Sequence, residues 1–341
     1  MQVLEEDVKL FAEQFELWEK LRGKTFLITG ATGLIGSVMI KCLMALNQKY
    51  DLGIKILAAV RDLDKAQKMF ADEYDTIKFL QIPLHEITTD SVSETVDYII
   101  HLASPTSSKF FVEHPVETLI TSINGTQAVL AYAQAAQIEA MVLASSLEVY
   151  GSNETNDLIT EDFQGYVNPV EVRSSYNMGK RAAECLCHAY AKEYGVPVKM
   201  ARLTQTTGAG IAEDDNRVIV QFTRLAASGQ DIVLHTKGDS ARPYLYTTDA
   251  ISAILYILLQ GKYGEVYNVA NEETYISARG MADYLRDTFA PAISVRVEIA
   301  DNWGYAPVTK LRLSTKRLKA LGWEPRYGLK DILERLINYL N

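Results

Sequence analysis

Lys24-Thr25-Phe26-Leu27-Ile28-Thr29-Gly30-Ala31-Thr32-Gly33-Leu34-Ile35-Gly36 reads as a short buried strand that runs into a glycine-punctuated turn and then a helix. The glycines fall at 30, 33 and 36, one residue wider at the start than the usual G-x-G-x-x-G. A glycine at the strand end permits a tight turn. The next lets backbone approach a pyrophosphate, and the third lets the helix pack closely on the sheet. The unbonded N–H groups at the helix start then face the phosphates. Such a triplet is weak evidence alone. It gains force from Tyr176-Asn177-Met178-Gly179-Lys180, whose tyrosine lies 140 residues past Gly36.

Outward from this turn, strand-like and helix-like stretches alternate. Strands are expected at Thr25–Thr29, Lys55–Val60, Ile77–Gln81, Val96–Leu102, Ala140–Ser145 and Val198–Leu203. Helices are expected at Ser37–Leu46, Leu63–Phe70, Leu119–Gln137 and Ser174–Tyr194. This alternation calls for an α/β fold, a doubly wound parallel sheet of the Rossmann kind, with ligands beyond the carboxyl ends of the strands. After Thr204 the rhythm loosens into a smaller, partly interleaved C-terminal substrate domain, with a loop around Trp303. The expected division is a helical extension over 1–21, a dinucleotide-binding unit over 22–205 and 236–270, and a substrate unit over 206–235 and 271–341.

Leu4, Val8, Phe11, Phe15 and Trp18 recur at helical spacing before the first strand, so the N-terminus reads as an amphipathic helix packed on the domain. Its many acids and the lack of an apolar centre exclude a signal peptide. No run reaches the roughly 18 apolar residues that a bilayer span needs. A formal charge of −9 with no basic run argues against a nucleic-acid partner. Cys42, Cys185 and Cys187 offer neither a disulfide framework nor a metal spacing. A cytoplasmic protein without a metal is expected.

Tyr176 and Lys180 stand four apart on one helix and share a face. A tyrosine is a poor base at its ordinary pKa near 10. A neighbouring ammonium is expected to lower that value by favouring the phenolate. Ser146 follows the fifth strand, where its hydroxyl is available to a sugar hydroxyl or a developing ketone.

With these residues in this order, the chain resembles the extended short-chain dehydrogenase/reductase family, the NAD(P)-dependent nucleotide-sugar epimerases, dehydratases and decarboxylases. Further signposts are His101-Leu102-Ala103-Ser104-Pro105, Asn124-Gly125-Thr126, Ser145 to Gly151, and Arg242 to Asp249. Within the family the pattern is most similar to UDP-glucuronate decarboxylases. The resemblance implies that Tyr176 takes the proton of a sugar 4-hydroxyl, that Lys180 holds the nicotinamide ribose, and that Ser146 positions the 4-oxygen. Glu148 would move a proton at C5 once C4 is a ketone. NAD or NADP, retained through turnover, would contact Gly30, Thr32, Gly33, Leu34, Ile35, Gly36, Arg61, Asp62, Leu102, Ala103, Ser104, Tyr176 and Lys180. A nucleotide-sugar substrate would contact Ser104, Asn124, Ser146, Gln205 and Arg242, the last as the clamp on its diphosphate. A homodimer through the two long helices is implied as well.

Departures from the pattern bear on the substrate. Leu147 stands where many 4,6-dehydratases have an aspartic acid, and Gly210 where the decarboxylases have an arginine. Arg61 ends the second strand where an acid usually binds the ribose; with Lys65 it would attract a 2′-phosphate. Decarboxylase, dehydratase and epimerase are the expected chemistries, in that order. An NADPH-dependent ketone or aldehyde reductase and a non-catalytic nucleotide-binding regulator are the alternatives.

Overall fold

The computed structural model describes residues 2–71, 73–299 and 308–341; the loop expected around Trp303 lies outside them. The elements that carry the argument are, in chain order, α1 (Gln2–Gln14), β1 (Thr25–Thr29), α2 (Leu34–Tyr50), β2 (Lys55–Val60), α3 (Leu63–Met69), β3 (Lys78–Gln81) and β4 (Tyr98–His101). There follow α4 (Ser108–Glu113), α5 (Pro115–Ala136), β5 (Ala140–Ser146), α6 (Ser174–Tyr194), β6 (Val198–Leu203) and α7 (Val218–Ala227). The chain closes with α8 (Thr247–Gln260), β7 (Val266–Val269), α9 (Ala278–Phe289) and α10 (Leu329–Leu340).

The seven strands form one sheet in the order β7-β6-β5-β4-β1-β2-β3, and every neighbouring pair is parallel. This is the doubly wound arrangement expected from the alternation. All five residues of β1 are buried, because helices cover both faces of a parallel sheet. Side chains alternate across it: Phe26 and Ile28 join an apolar cluster with Val38, Leu43 and Ile254 on the α2–α8 side. Leu27 joins Ile99, Val129, Met141 and Val198 on the α5–α6 side. Strand order reverses between β1 and β4, which makes the crevice beyond their carboxyl ends the switch point of the sheet.

A third cluster holds Ile219, Phe222, Met281, Leu285, Ile332 and Leu336 from α7, α9 and α10, and Tyr244 and Tyr246 join it. Short strand pairs stitch this body to the sheet. Gln205–Thr207 runs parallel to Tyr244–Tyr246, and Ala241–Arg242 runs antiparallel to Ile276–Ser277. Pairs of two or three residues carry no periodicity of their own, so only the tertiary fold reveals them.

The N-terminal helix is part of this assembly. Asp7 of α1 is 2% exposed; Tyr246 donates its hydroxyl to one carboxylate oxygen, and Arg335 of α10 donates to the other at 2.6 Å. Burial nevertheless pushes the Asp7 carboxyl up to about 6. Trp18 stacks on Tyr50 of α2 with ring centroids 4.2 Å apart. Among the described residues no helix is long and apolar enough to cross a membrane.

Asp249, in the first turn of α8, accepts the backbone N–H groups of Arg326 and Tyr327, each at 3.1 Å. It thereby fixes the chain leading into α10. Burial pushes this carboxyl from 3.8 up to about 7. Between those two values the folded chain binds more protons at this site than the unfolded one. Its contribution therefore favours folding increasingly as pH falls from 7 towards 4, by ~4 kcal/mol at most. Asp249→Asn, neutral at every pH, is expected to flatten the dependence of denaturant midpoint on pH across that window. A pH slope unchanged from the wild type would refute this role.

Candidate active site

The glycine turn closes on itself and on the neighbouring strand. Gly30 has φ of +70°, and a Cβ there would meet the Ala103 nitrogen at 2.8 Å. A Cβ on Gly36 would lie 2.3 Å from the Gly30 carbonyl oxygen. Gly33 N–H donates to that same oxygen at 3.0 Å, and Gly33 caps α2 without any side-chain bond to the helix start. Gly30 and Gly36 are thus fixed by sterics, whereas Gly33 is exposed, with the Gly30 oxygen at 3.3 Å as its one close neighbour. The first N–H groups of α2 open beside it. That is the chemistry a pyrophosphate needs, and the residues present fit one.

Leu102, Ala103 and Ser104 leave β4 directly over this turn, partly exposed. Thr29 Oγ1 accepts from the Ala103 N–H at 3.2 Å and pairs with His101 Nδ1 at 2.7 Å; His101 Nε2 reaches Thr126 Oγ1 at 3.3 Å. His101 is buried, and burial together with the Lys180 charge drives its pKa down to about 3. It is a neutral brace under the turn. Arg61 follows β2 into solvent, and its side chain makes no hydrogen bond or ion pair among the described residues. Asp62 caps α3, accepting the Lys65 N–H at 2.9 Å.

The second half of the site lies where β5 ends. Ser146 accepts the Glu148 N–H at 3.2 Å as the chain enters a 3-10 turn over Leu147–Tyr150. Asn177 on α6 donates to the Glu148 carbonyl at 2.7 Å and reaches its carboxylate at 3.5 Å. The carboxylate also faces Arg242, 3.7 Å away. Lys180 lies one turn beyond Tyr176 and donates to the Ala144 carbonyl at 2.8 Å. Ser146, Glu148, Tyr176, Lys180 and Arg242 are therefore brought together.

Two expectations need correction. Lys180 does not draw the Tyr176 phenol downward. Its ammonium sits 5.8 Å from the ring centroid and is engaged by a carbonyl, while burial pushes Tyr176 up to about 12 against an opposing hydrogen bond from Ser146. Burial likewise brings Lys180 down to about 8. Nor does Asn124 join the site: it lies on the exposed face of α5. Ser122 and Thr126 occupy the buried face, and Ser122 meets Gly179 of α6 so closely that a Cβ there would be 3.0 Å from it. Gln205 starts the short strand beside Tyr244, half-buried.

Sequence reasoning gave no role to Asn177, Phe111 or Glu184. Phe111 of α4 stacks on Tyr176 with centroids 4.2 Å apart and planes 9° apart. Glu184 accepts Ser145 Oγ at 2.5 Å, directly behind Ser146. Asn177 follows the tyrosine in sequence, and that adjacency was its only signal. A recess of about 690 Å³ lined by Tyr98, Glu139, Lys199 and Tyr263 lies beyond the amino ends of β4, β5 and β6, at the far edge from this constellation. Among the described residues no group of three or more His, Cys, Asp or Glu could hold a metal ion.

A doubly wound sheet with a glycine turn at its switch point, and a serine, tyrosine and lysine at the adjoining strand edge, defines a dinucleotide-binding fold of the dehydrogenase/epimerase class. Residues 26–270 match the family model described as "NAD dependent epimerase/dehydratase family", and the chain belongs to that family. It is similar to UDP-glucuronic acid decarboxylase 6 of Arabidopsis thaliana, 29% identical over 310 residues, covering 89% of this chain and 85% of the relative. UDP-glucuronic acid decarboxylase 1 of Danio rerio is 29% identical over 324 residues, covering 93% and 73%. Among solved structures, UDP-glucose 4-epimerase of Thermotoga maritima superposes with a TM-score of 0.77 at 20% identity, covering 92% of this chain and 98% of that one. UDP-glucuronic acid 4-epimerase of Bacillus cereus gives 0.77 at 18%, covering 93% and 98%.

The crowding around the turn makes a graded prediction. Gly36→Ala must push its methyl into the Gly30 carbonyl, so a loss of about 3 kcal/mol or more is expected in chemical denaturation. Gly33→Ala should stay within about 1 kcal/mol of the wild type. Equal losses in the two variants would contradict the steric assignment.

Proposed function

We propose that the protein is a nucleotide-sugar enzyme that works through a transient 4-keto sugar, with NAD or NADP held through turnover. The observation that carries this reading is the convergence of Ser146, Tyr176, Lys180 and Glu148 at the carboxyl edge beside the glycine turn. The cofactor, when bound, supplies a hydride acceptor and donor for C4. Gly30 to Gly36 and the N-terminus of α2 hold its pyrophosphate, Leu102 to Ser104 line its path, and Lys180 meets its ribose. Tyr176 takes the 4-hydroxyl proton and later returns it, while Ser146 holds the 4-oxygen. Arg242 clamps the substrate's diphosphate, Ser104 and Gln205 contact the substrate, and Glu148 acts at C5, which the 4-ketone renders acidic.

Decarboxylation of a UDP-uronic acid leads among the possible outcomes, supported by the relatives' activity. Gly210 weighs against it: its φ of +95° is a backbone that an arginine rarely adopts, so a uronate carboxylate must find its cation elsewhere. Dehydration and epimerisation follow. Substrate binding is assigned to 206–235 and 271–341, and a homodimer through α5 and α6 is supported by Val116 and Ile120, which stand exposed on α5. Three free cysteines support a reducing, cytoplasmic setting.

The unengaged Arg61, with Asp62 committed to a helix cap, favours one further reading, an NADPH-dependent reductase. Stoichiometric consumption of added NADPH would select it. Incubation with UDP-, dTDP-, GDP- and CDP-sugars and no added cofactor is expected to give a product. Its mass reads decarboxylation as a loss of about 44 units, dehydration as about 18, and epimerisation as none. Tyr176→Phe should lower turnover at least ~100-fold with cofactor binding nearly intact. Glu148→Gln should spare C4 oxidation and block the step at C5. Normal turnover in Tyr176→Phe removes that residue from the mechanism.

A further inference from the structure

We propose that Phe111 is a positioning residue for Tyr176: its ring, laid flat against the phenol, sets the direction in which the tyrosine oxygen meets Ser146 and keeps water from that face. The proposal rests on Tyr176 being the base. Phe111 is 5% exposed, yet it belongs to none of the four buried apolar clusters of the described chain. Its burial is directed at Tyr176, at a centroid distance of 4.2 Å and an interplanar angle of 9°. Val112, next in sequence, is 53% exposed, so α4 turns this one ring inward.

A tyrosine needs such a neighbour. Its second side-chain torsion is broad, and nothing in the rotamer alone fixes the ring plane. Ser146 acts on the oxygen alone and leaves the ring free to pivot. Lys180 is tied to the Ala144 carbonyl, two residues before Ser146, with its ammonium 5.8 Å from the ring centroid. The opposing ring of Phe111 removes the pivot, since rotation of either plane would collide with the other. The placement of α4 is itself secured from α6 and the residue before it: Ser175 Oγ donates to the Phe111 carbonyl at 3.4 Å, and Arg173 reaches Ser108 Oγ at 3.5 Å. A six-residue helix has little stability alone, so these bonds and the stacked ring hold it against the helix that carries the base. The same contact removes solvent from the phenol, and burial is what pushes Tyr176 up to about 12.

The test uses the full-length protein labelled with [13C-ε]tyrosine, its Tyr176 signals identified by their loss in Tyr176→Phe. In the wild type the two ε positions are expected as separate signals, because the stacked ring flips slowly. In Phe111→Ala they should merge into one averaged signal, and Phe111→Tyr should restore the pair. With UDP-glucuronic acid as the probe substrate, Phe111→Ala should lower kcat about 10-fold or more while KM changes less than about 3-fold. The acidic limb of its pH profile should shift downward as water reaches the phenol. A residue that merely filled space would reduce the folded fraction and leave the signals and kcat of that fraction alone. Unchanged Tyr176 signals in a folded Phe111→Ala protein overturn the proposal, as does a full kcat with averaged signals. An active Tyr176→Phe protein sinks the base assignment instead, and the ring-flip measurement stands apart from it.

Discussion

Arg202 and Glu184 form the buried ion pair on which the geometry of the site depends. Arg202 Nε and Nη2 donate to the carboxylate at 2.7 to 3.2 Å, and Nη1 reaches Tyr150 Oη at 3.0 Å and the Glu161 carbonyl at 2.8 Å. Glu184 uses its remaining capacity on Ser145. A buried pair is tolerable only when its hydrogen bonds are filled, and here both partners are filled. The consequence is positional. Arg202 belongs to β6, Glu184 to α6 one turn after Lys180, Ser145 to the end of β5, and Tyr150 to the turn that carries Glu148. One charge pair thus fixes four segments, each bearing or adjoining a residue of the proposed chemistry.

The network also explains the electrostatic state around Lys180. Burial brings its ammonium down to about 8, and the Glu184 charge opposes that fall. Because Glu184 already answers Arg202, it leaves Lys180 incompletely compensated. Burial acts in the opposite sense on the tyrosine, so the two groups drift towards their neutral forms. The packing around α6 that raises Tyr176 is thus the packing that lowers Lys180.

How much of this was legible follows from which forces act locally. The sheet was readable because strands covered on both faces are rich in apolar residues, and Thr25–Thr29, Lys55–Val60 and Val198–Leu203 formed where they were expected. Gly30 and Gly36 were readable because their conformation and crowding are set within a few residues. Asn124 was misplaced for a reason of periodicity. A two-residue step on a helix turns through about 200°, so a side chain between Ser122 and Thr126 faces away from both. The stack of Phe111 on Tyr176 joins residues 65 apart in a six-residue helix and a long one, and no spacing rule anticipates it. Glu184 and Arg202 are ordinary charged residues in sequence; only their burial reveals their weight.

The N-terminal helix shows the same limit and adds a constraint. Its amphipathic spacing announced packing but not partners, and it lies before the stretch that matches the family model. Asp7 is drawn in among Tyr246, Arg335 and Tyr327, and the helix thereby meets α10 and the strand that follows Arg242. Tyr246 in turn crowds Gly208, whose Cβ position lies 2.9 Å from its ring, at the start of the loop that holds Gly210. A carboxylate on the first helix therefore bears, through one tyrosine, on the loop that this reading places at the substrate. The sheet supplies the proposed cofactor half of the site with little help from outside it. The proposed substrate half is assembled from segments far apart in the chain, and its shape rests on contacts that include the helix before β1.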